Sequence, residues 1–177
     1  MKDALAIHRW LLAHQVHHEI VRLPRAATSA EELPRLLAVS PAACVAVTVF
    51  EAASEVTART EQEPVAVVAS VDRPPPPAAV GTFLGVRGVR PAPAFTVNSV
   101  TDYAAGLVCP LLLPEGLTVL VDGRLAGSRR FVHTPTGERR TALLIRADHL
   151  LGLVSGKTID LAQSRSRKAR ATFPLAG

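Results

Sequence analysis

With 177 residues, 48% of them hydrophobic and 20% charged, the chain has material for one compact core, is short for two domains and is too apolar to be wholly disordered. No apolar run approaches the length of a bilayer crossing, and the opening MKDALAIHRWLLAHQ carries charge and histidine inside a helical pattern, unlike a secretion signal. The expected setting is the cytoplasm, with no membrane partner and with Cys44 and Cys109 as reduced thiols.

The formal charge of +5 arises from residues 101–177, which hold eleven Lys or Arg against six Asp or Glu, whereas residues 1–100 hold nine of each. A basic flank is the footprint of a polyanion partner, and more simply that of an ordinary solvated face. Along the chain, Asp3 is placed to cap a first helix in which Leu5, Ile7, Trp10, Leu11 and Leu12 recur at helical spacing, ending near His14. HHEIVRL alternates as a strand. ATSAEELPRLLAV opens with a capping box, Ser29 standing three before Glu32, and carries Pro34 early enough to be tolerated. CVAVTVF and PVAVVAS are β-branched runs of strand length, joined by the polar EAASEVTARTEQE, which reads as a loop or turn.

Four consecutive prolines, Pro74 to Pro77, force an extended lead into a short helix from about Ala78 to Leu84, and act as a rigid connector. Asn98 or Ser99 is placed to cap another short helix ending at Gly106. LTVLVDG, RRFVHT and RRTALLI then form three strands divided by turns at Asp122-Gly123 and Thr136-Gly137, with ADHLLGL as a closing helix. One domain over residues 1–164 is expected, followed by a mobile basic tail, 165–177, in which four cations meet no acid. Helices and strands mix without strict alternation. This predicts an α+β domain with a mixed, largely antiparallel sheet, curled or barrel-like, and helices packed outside.

Elimination narrows the chemistry. The six histidines never combine with cysteine or carboxylate at a ligand spacing, so no metal is expected. No G-x-S-x-G turn and no phosphate-cradling glycine loop occurs, so neither a serine hydrolase nor a nucleotide cofactor has support. Cys109 has no base beside it in sequence and reads, like Cys44, as a small buried hydrophobe. There remains TDYAAGLVCPLLLPEG, an apolar run interrupted by Gly106 and Pro110. Glycine lets a backbone amide and carbonyl approach a ligand, and proline fixes the exit of the chain. The pair can present main-chain groups to an acyl ligand, or form an ordinary helix-to-strand corner.

The order of these stretches resembles the YbaK/EbsC family of aminoacyl-tRNA editing domains, related to the insertion domain of bacterial prolyl-tRNA synthetases. ATSAEELPRLLAVSPAACVAVTVFEA resembles the family's helix and first core strand, EPVAVVAS its second strand, and FLGVRGVRPA the helix and strand before the active segment. VTDYAAGLVCPLLLPEGLTVLVDGRL is similar to the most distinctive stretch, in which a G-x-x-x-P motif forms part of the editing pocket, and TGERRTALLIRADHLLGL resembles the closing strand and helix. The resemblance covers about residues 5 to 162. It implies a free-standing enzyme that hydrolyses the ester of a mischarged tRNA at its 3′ end, with Gly106 and Pro110 as the motif residues, no cofactor, and an aminoacyl-tRNA synthetase as a further partner.

It also implies a pocket with Thr48, Tyr103 and Cys109 in its wall, and with Asp102 or His133 as polar contacts. Two departures stand out. The family's core strand carries a lysine and then a threonine near the terminal phosphate; here Ala46 or Val47 takes the lysine's place, with Thr48 at or one residue from the threonine. Thr101-Asp102-Tyr103 replaces the family's frequent Thr-Gly-Tyr. Loss of that cation removes a charge-assisted hydrogen bond of about 1.5–3 kcal/mol. Either another basic residue substitutes, or the chain is an impaired member that binds a small ligand, tRNA or a protein.

Overall fold

The structure, a computed structural model, describes residues 1–54 and 61–162. The chain opens with helix α1 (Ala4–Ala13), where the Asp3 carboxylate accepts the Ala6 amide at 2.8 Å and Ile7 and Leu11, one turn apart, are wholly buried. Strand β1 (His18–Arg22) follows. The next helix is split: a single 3₁₀ turn, Ala30–Glu32, leads into a short α2 (Leu33–Leu37). The expected capping box is absent because the Ser29 side chain caps nothing. Glu32 instead turns back to accept both the Thr28 amide, at 3.1 Å, and the Thr28 hydroxyl.

Strands β2 (Val45–Ser54) and β3 (Glu61–Ser70) pair antiparallel along their whole length, from Val45 opposite Ser70 to Ser54 opposite Glu61. They run further than their apolar cores suggest, since Glu51–Ser54 and Glu61–Glu63 of the polar connector continue the ladder; the connector's centre lies outside the described residues. The prolines lead into α3 (Pro77–Leu84), then come β4 (Val89–Pro91) and α4 (Ala94–Thr101). That last helix starts ahead of Asn98 and stops well before Gly106. Asp102 ends it in a left-handed conformation, and the Asn98 side chain, instead of capping its start, accepts the Ala105 amide at 2.8 Å beyond its end.

After a long irregular segment, β5 (Thr118–Asp122), β6 (Phe131–Pro135), β7 (Thr141–Arg146), α5 (Ala147–Leu153) and β8 (Lys157–Ile159) complete the order. The strands form two sheets, β1-β7-β6, all antiparallel, and β4-β2-β3-β5-β8, in which β5 lies parallel to both its neighbours. Neither sheet closes into a barrel. The fold is therefore α+β, with one antiparallel and one mixed sheet, as the unalternating element order predicts.

Strand β2 is covered on both faces. Val45 and Val49 pack with Ile7, Leu11, Val108, Leu143 and Ile145, while Phe50 and Ala52 pack with Val65, Val67, Val80 and Leu120. Burial on two sides is why this strand and β3 read as continuous apolar runs with no alternation. Among the described residues, no helix is long and apolar enough to cross a membrane.

Candidate active site

Between α4 and β5 the chain takes no regular form, yet Tyr103 and the run from Leu107 to Leu111 are all buried. Backbone shape is set by left-handed residues: Asp102 at φ 60°, Gly106 at φ 83° and Leu112 at φ 58°. For a leucine that conformation costs roughly 1–2 kcal/mol, so the surrounding packing must impose it. Tyr103 is the internal strut. Its hydroxyl donates to the Leu111 carbonyl at 2.8 Å and its amide to the Thr101 hydroxyl at 3.1 Å.

Gly106 is held from outside the segment, where the Ala30 amide donates to its carbonyl at 2.9 Å. A Cβ built on Gly106 would stand 2.4 Å from the Thr28 carbonyl oxygen. Only glycine satisfies both the left-handed angle and this approach. Its carbonyl is thus occupied, while its amide has no acceptor among the described residues.

Gly106 faces a cleft of about 220 Å³, below the ~300–1,000 Å³ of pockets for drug-sized ligands and of a size for an amino-acid side chain. Its first wall is the segment Ala46–Val49 of β2; a second is Ala105, Gly106 and Val108; a third is Pro91, Ala92, Ala94 and Val97; Ala30 and Glu31 close the remaining side. The first wall is an open strand edge. The Val49 carbonyl points away from β3, because it accepts the Ala92 amide at 2.9 Å, and backbone groups two residues apart point the same way. Strand β4 covers β2 only from Phe50 to Ala52, so the amide and carbonyl of Val47 face the cleft without a strand partner.

The third wall is fastened by a charge in mid-strand. Glu51, only 8% exposed, accepts the Thr96 hydroxyl at 2.9 Å and the Arg90 guanidinium at 2.8 Å, which tie α4 and β4 to β2. These two donors, Thr96 before Arg90, hold the Glu51 carboxyl below the usual carboxylate range.

Of the residues singled out in sequence, Ala46, Val47, Thr48 and Gly106 line the cleft together. The half-buried Thr48 hydroxyl makes no hydrogen bond among the described residues. Tyr103, Cys109 and Pro110 are buried and lie outside the lining, where they shape the second wall without forming its surface. Asp102 stands apart, its carboxylate 3.2 Å from the amino group of Met1. His133 sits on β6, bridged to Cys44; burial holds its imidazole below the ordinary value, and its Nδ1 has no partner.

Burial pushes the Cys109 thiol up to about 12 and the Cys44 thiol up to about 11, so neither supplies a thiolate at neutral pH. Both cysteines are free. Among the described residues, no group of three or more His, Cys, Asp or Glu side chains is placed to hold a metal ion. Sequence reasoning missed Glu31, Ala92 to Val97 and Glu51. The sequence held no clear signal for them, since Glu51 opens a polar stretch that reads as a loop and lining residues such as Ala94 and Val97 carry no chemical mark.

A larger hollow of about 340 Å³ lies elsewhere, beside Asp72, Arg73, Pro74, Pro76 and Arg124. Its cations are already matched, Arg124 to Asp122 at 2.6 Å and Arg73 to Asp72 at 3.7 Å, which makes it a salt-bridged crease. The smaller cleft is the one that presents unpaired backbone groups.

No curated protein sequence matches the chain. Solved structures do. A hypothetical protein, APE2540, superposes with a TM-score of 0.72 at 21% identity, over 87% of this chain and 97% of its own. A protein described as a candidate trans-editing enzyme for prolyl tRNA synthetase gives 0.65 at 22%, over 81% and 85%. At these identities the likeness shows a common fold. A family model supplies what the superpositions leave open, because it matches residues 24–153, a span that contains every cleft-lining residue from Ala30 to Val108. On that match, the chain belongs to the aminoacyl-tRNA editing domain family.

Proposed function

We propose that the protein is a free-standing deacylase that hydrolyses the ester of a mischarged tRNA, acting in trans at the 3′ end in the cytoplasm. The observation that carries this reading is the meeting of two backbone features, the open edge of β2 at Val47 and the left-handed Gly106, in one small cleft of an editing domain. The amides of Val47 and Gly106 are free to receive the oxygen of an ester carbonyl, where negative charge develops as the carbonyl is attacked. Removing one such donor typically lowers kcat by about 10²–10³.

No Cys, Ser, Lys or His lines the cleft, and among the described residues no base stands beside the Thr48 hydroxyl to activate it as a nucleophile. The attacking group is instead a water, oriented by the Thr48 hydroxyl or by the vicinal hydroxyl of the ribose. It adds to the carbonyl carbon, the bond to the ribose oxygen breaks, and that oxygen takes a proton. Free amino acid and uncharged tRNA leave. Pro110 and Tyr103 act as positioning residues, which keep the second wall in shape for this geometry.

Action in trans draws support from the related protein described as a trans-editing enzyme, and makes a prolyl-tRNA synthetase the first synthetase to test as a partner. A specific observation favours a second reading: no Lys or Arg lines the cleft, so nothing in it matches the terminal phosphate. The chain would then bind without hydrolysis. The deciding experiment incubates the purified protein with tRNAs mischarged with a panel of small amino acids. Loss of the aminoacyl bond above the spontaneous rate is the expected result. Absence of release at stoichiometric protein, with salt-sensitive binding of uncharged tRNA, would leave the binding reading in its place.

A further inference from the structure

Glu31 is the one charged residue in the lining of the cleft. Its neighbour is spent on structure: Glu32 accepts from Thr28 and pairs with Arg35. Glu31 is exposed and has no hydrogen-bond or ionic partner among the described residues. Its position is fixed through the backbone, because the preceding residue, Ala30, donates to the carbonyl of Gly106 at 2.9 Å. A free carboxylate therefore shares the lining of the cleft with the residue that presents the amide and with the open edge of β2.

An uncompensated carboxylate repels phosphate and attracts a cation. The reacting end of an aminoacyl-tRNA offers one of each, a phosphate on one side of the ribose and the α-ammonium on the other. We infer that Glu31 holds the α-ammonium of the aminoacyl group, so that the cleft accepts esters of free amino acids and rejects those whose amino group is acylated. This rests on the deacylase reading and adds to it the chemical class of substrate. The ammonium carries three donors, and the cleft supplies two kinds of acceptor for them, the Glu31 carboxylate and the Val47 carbonyl. An acylated nitrogen has no charge and one donor, and brings extra bulk into about 220 Å³.

Two measurements test the assignment. In the first, one tRNA is charged with an amino acid that the panel identifies as a substrate, and half of it is N-acetylated. Wild type is expected to hydrolyse the free form with kcat/KM at least tenfold higher after subtraction of the spontaneous rates. Glu31→Gln is expected to lose about tenfold to a hundredfold on the free form, mainly in KM, and nothing on the acetylated form, with partial return in Glu31→Asp. Equal treatment of both forms by wild type, or full discrimination in Glu31→Gln, would overturn it.

The second measurement is independent of catalysis. Alanine joined by an amide to 3′-amino-3′-deoxyadenosine cannot be hydrolysed as an ester, and calorimetry of its binding should show a tenfold preference over its N-acetyl form in wild type and none in Glu31→Gln. If wild type hydrolyses nothing yet keeps this preference, the deacylase reading fails and the ammonium site stands. If wild type hydrolyses esters and the preference is missing, the ammonium site alone is lost.

Discussion

The strand wall of the cleft, Ala46 to Thr48, and the loop wall, Ala105 to Val108, expose backbone groups by opposite means. The strand does so by regularity: β4 is too short to cover β2, and an unpaired edge is left wherever the ladder ends. Apart from the Thr48 hydroxyl, the side chains along that edge have more room to vary, since the other groups that face the cleft belong to the peptide bonds. The loop does so by irregularity, with a left-handed Gly106, a carbonyl pinned by Ala30, and Tyr103 bracing the turn from behind. There, residue identity is the structure. One wall should tolerate substitution and the other should not.

The sharpest way to break this contrast is Gly106→Ala. The new methyl group would meet the Thr28 carbonyl oxygen at 2.4 Å, and that oxygen belongs to backbone and cannot swing aside. Added to a left-handed alanine, this should lower stability by about 2–4 kcal/mol. Displacement of the loop should cut deacylation at least a hundredfold at temperatures where the variant is still folded. Gly116→Ala is the control, because a Cβ there meets nothing within 4 Å and the angle is ordinary. It should change stability by less than about 0.5 kcal/mol and leave the rate alone. Urea titration and single-turnover deacylation check both, and a fully active Gly106→Ala would show that the loop wall is as tolerant as the strand.

The same contrast explains what could be read without coordinates. Strands such as CVAVTVF and PVAVVAS announce themselves, because β-branched runs report burial on two faces directly. Gly106 stood out because a glycine in an apolar run is locally costly and so must have a reason. Leu112 could not stand out, since nothing local marks a leucine whose left-handed angle is imposed by distant packing. Tyr103, Cys109 and Pro110 share the irregular segment of Gly106 but are buried outside the cleft lining; distance along the chain says nothing of which way a kinked wall faces. Glu31 was masked by its neighbour, for the capping-box spacing drew attention to Glu32 and made the pair look structural. Glu51 reads as part of a connector until the ladder is seen to run through it.

A smaller effect compares the two thiols, Cys44 just ahead of the strand wall and Cys109 within the loop segment. Burial raises both in the folded protein, to about 11 and about 12, whereas an unfolded thiol titrates near ~8.5. The folded state thus keeps protons that the unfolded chain gives up. The contribution is complete below about pH 8.5 and is lost as pH rises toward the folded values, at up to ~1.4 kcal/mol per pH unit for each thiol. Urea unfolding between pH 8 and pH 10.5 should show a steeper decline in wild type than in Cys44→Ala/Cys109→Ala, whatever the starting stability of the variant. Parallel declines would mean that water reaches these thiols.

The smallest structural effect, and the most informative for function, is expected from the tolerant wall. Ala46 and Val47 are partly buried along the open edge, Val47 against the core, and a lysine at either position can lay its stem over apolar surface and keep its ammonium in water. Stability should move by less than about 0.5 kcal/mol for Ala46→Lys, and fall by about 1–2 kcal/mol for Val47→Lys, which gives up a side chain packed against the core. What should change is the grip on the tRNA end. A cation here would restore a contact to the terminal phosphate that no lining residue now makes, and would raise kcat/KM on a mischarged tRNA by roughly tenfold, with a steeper decline as salt is added. The two variants differ in register, because alternate residues of a strand face opposite sides. Ala46→Lys and Val47→Lys therefore cannot both direct the charge to the same place, and a gain in only one identifies the face along which the acceptor end approaches. A gain in neither, with the wild-type rate intact, would mean that the phosphate passes on the far side of the loop wall, where the edge of β2 has no part in holding it.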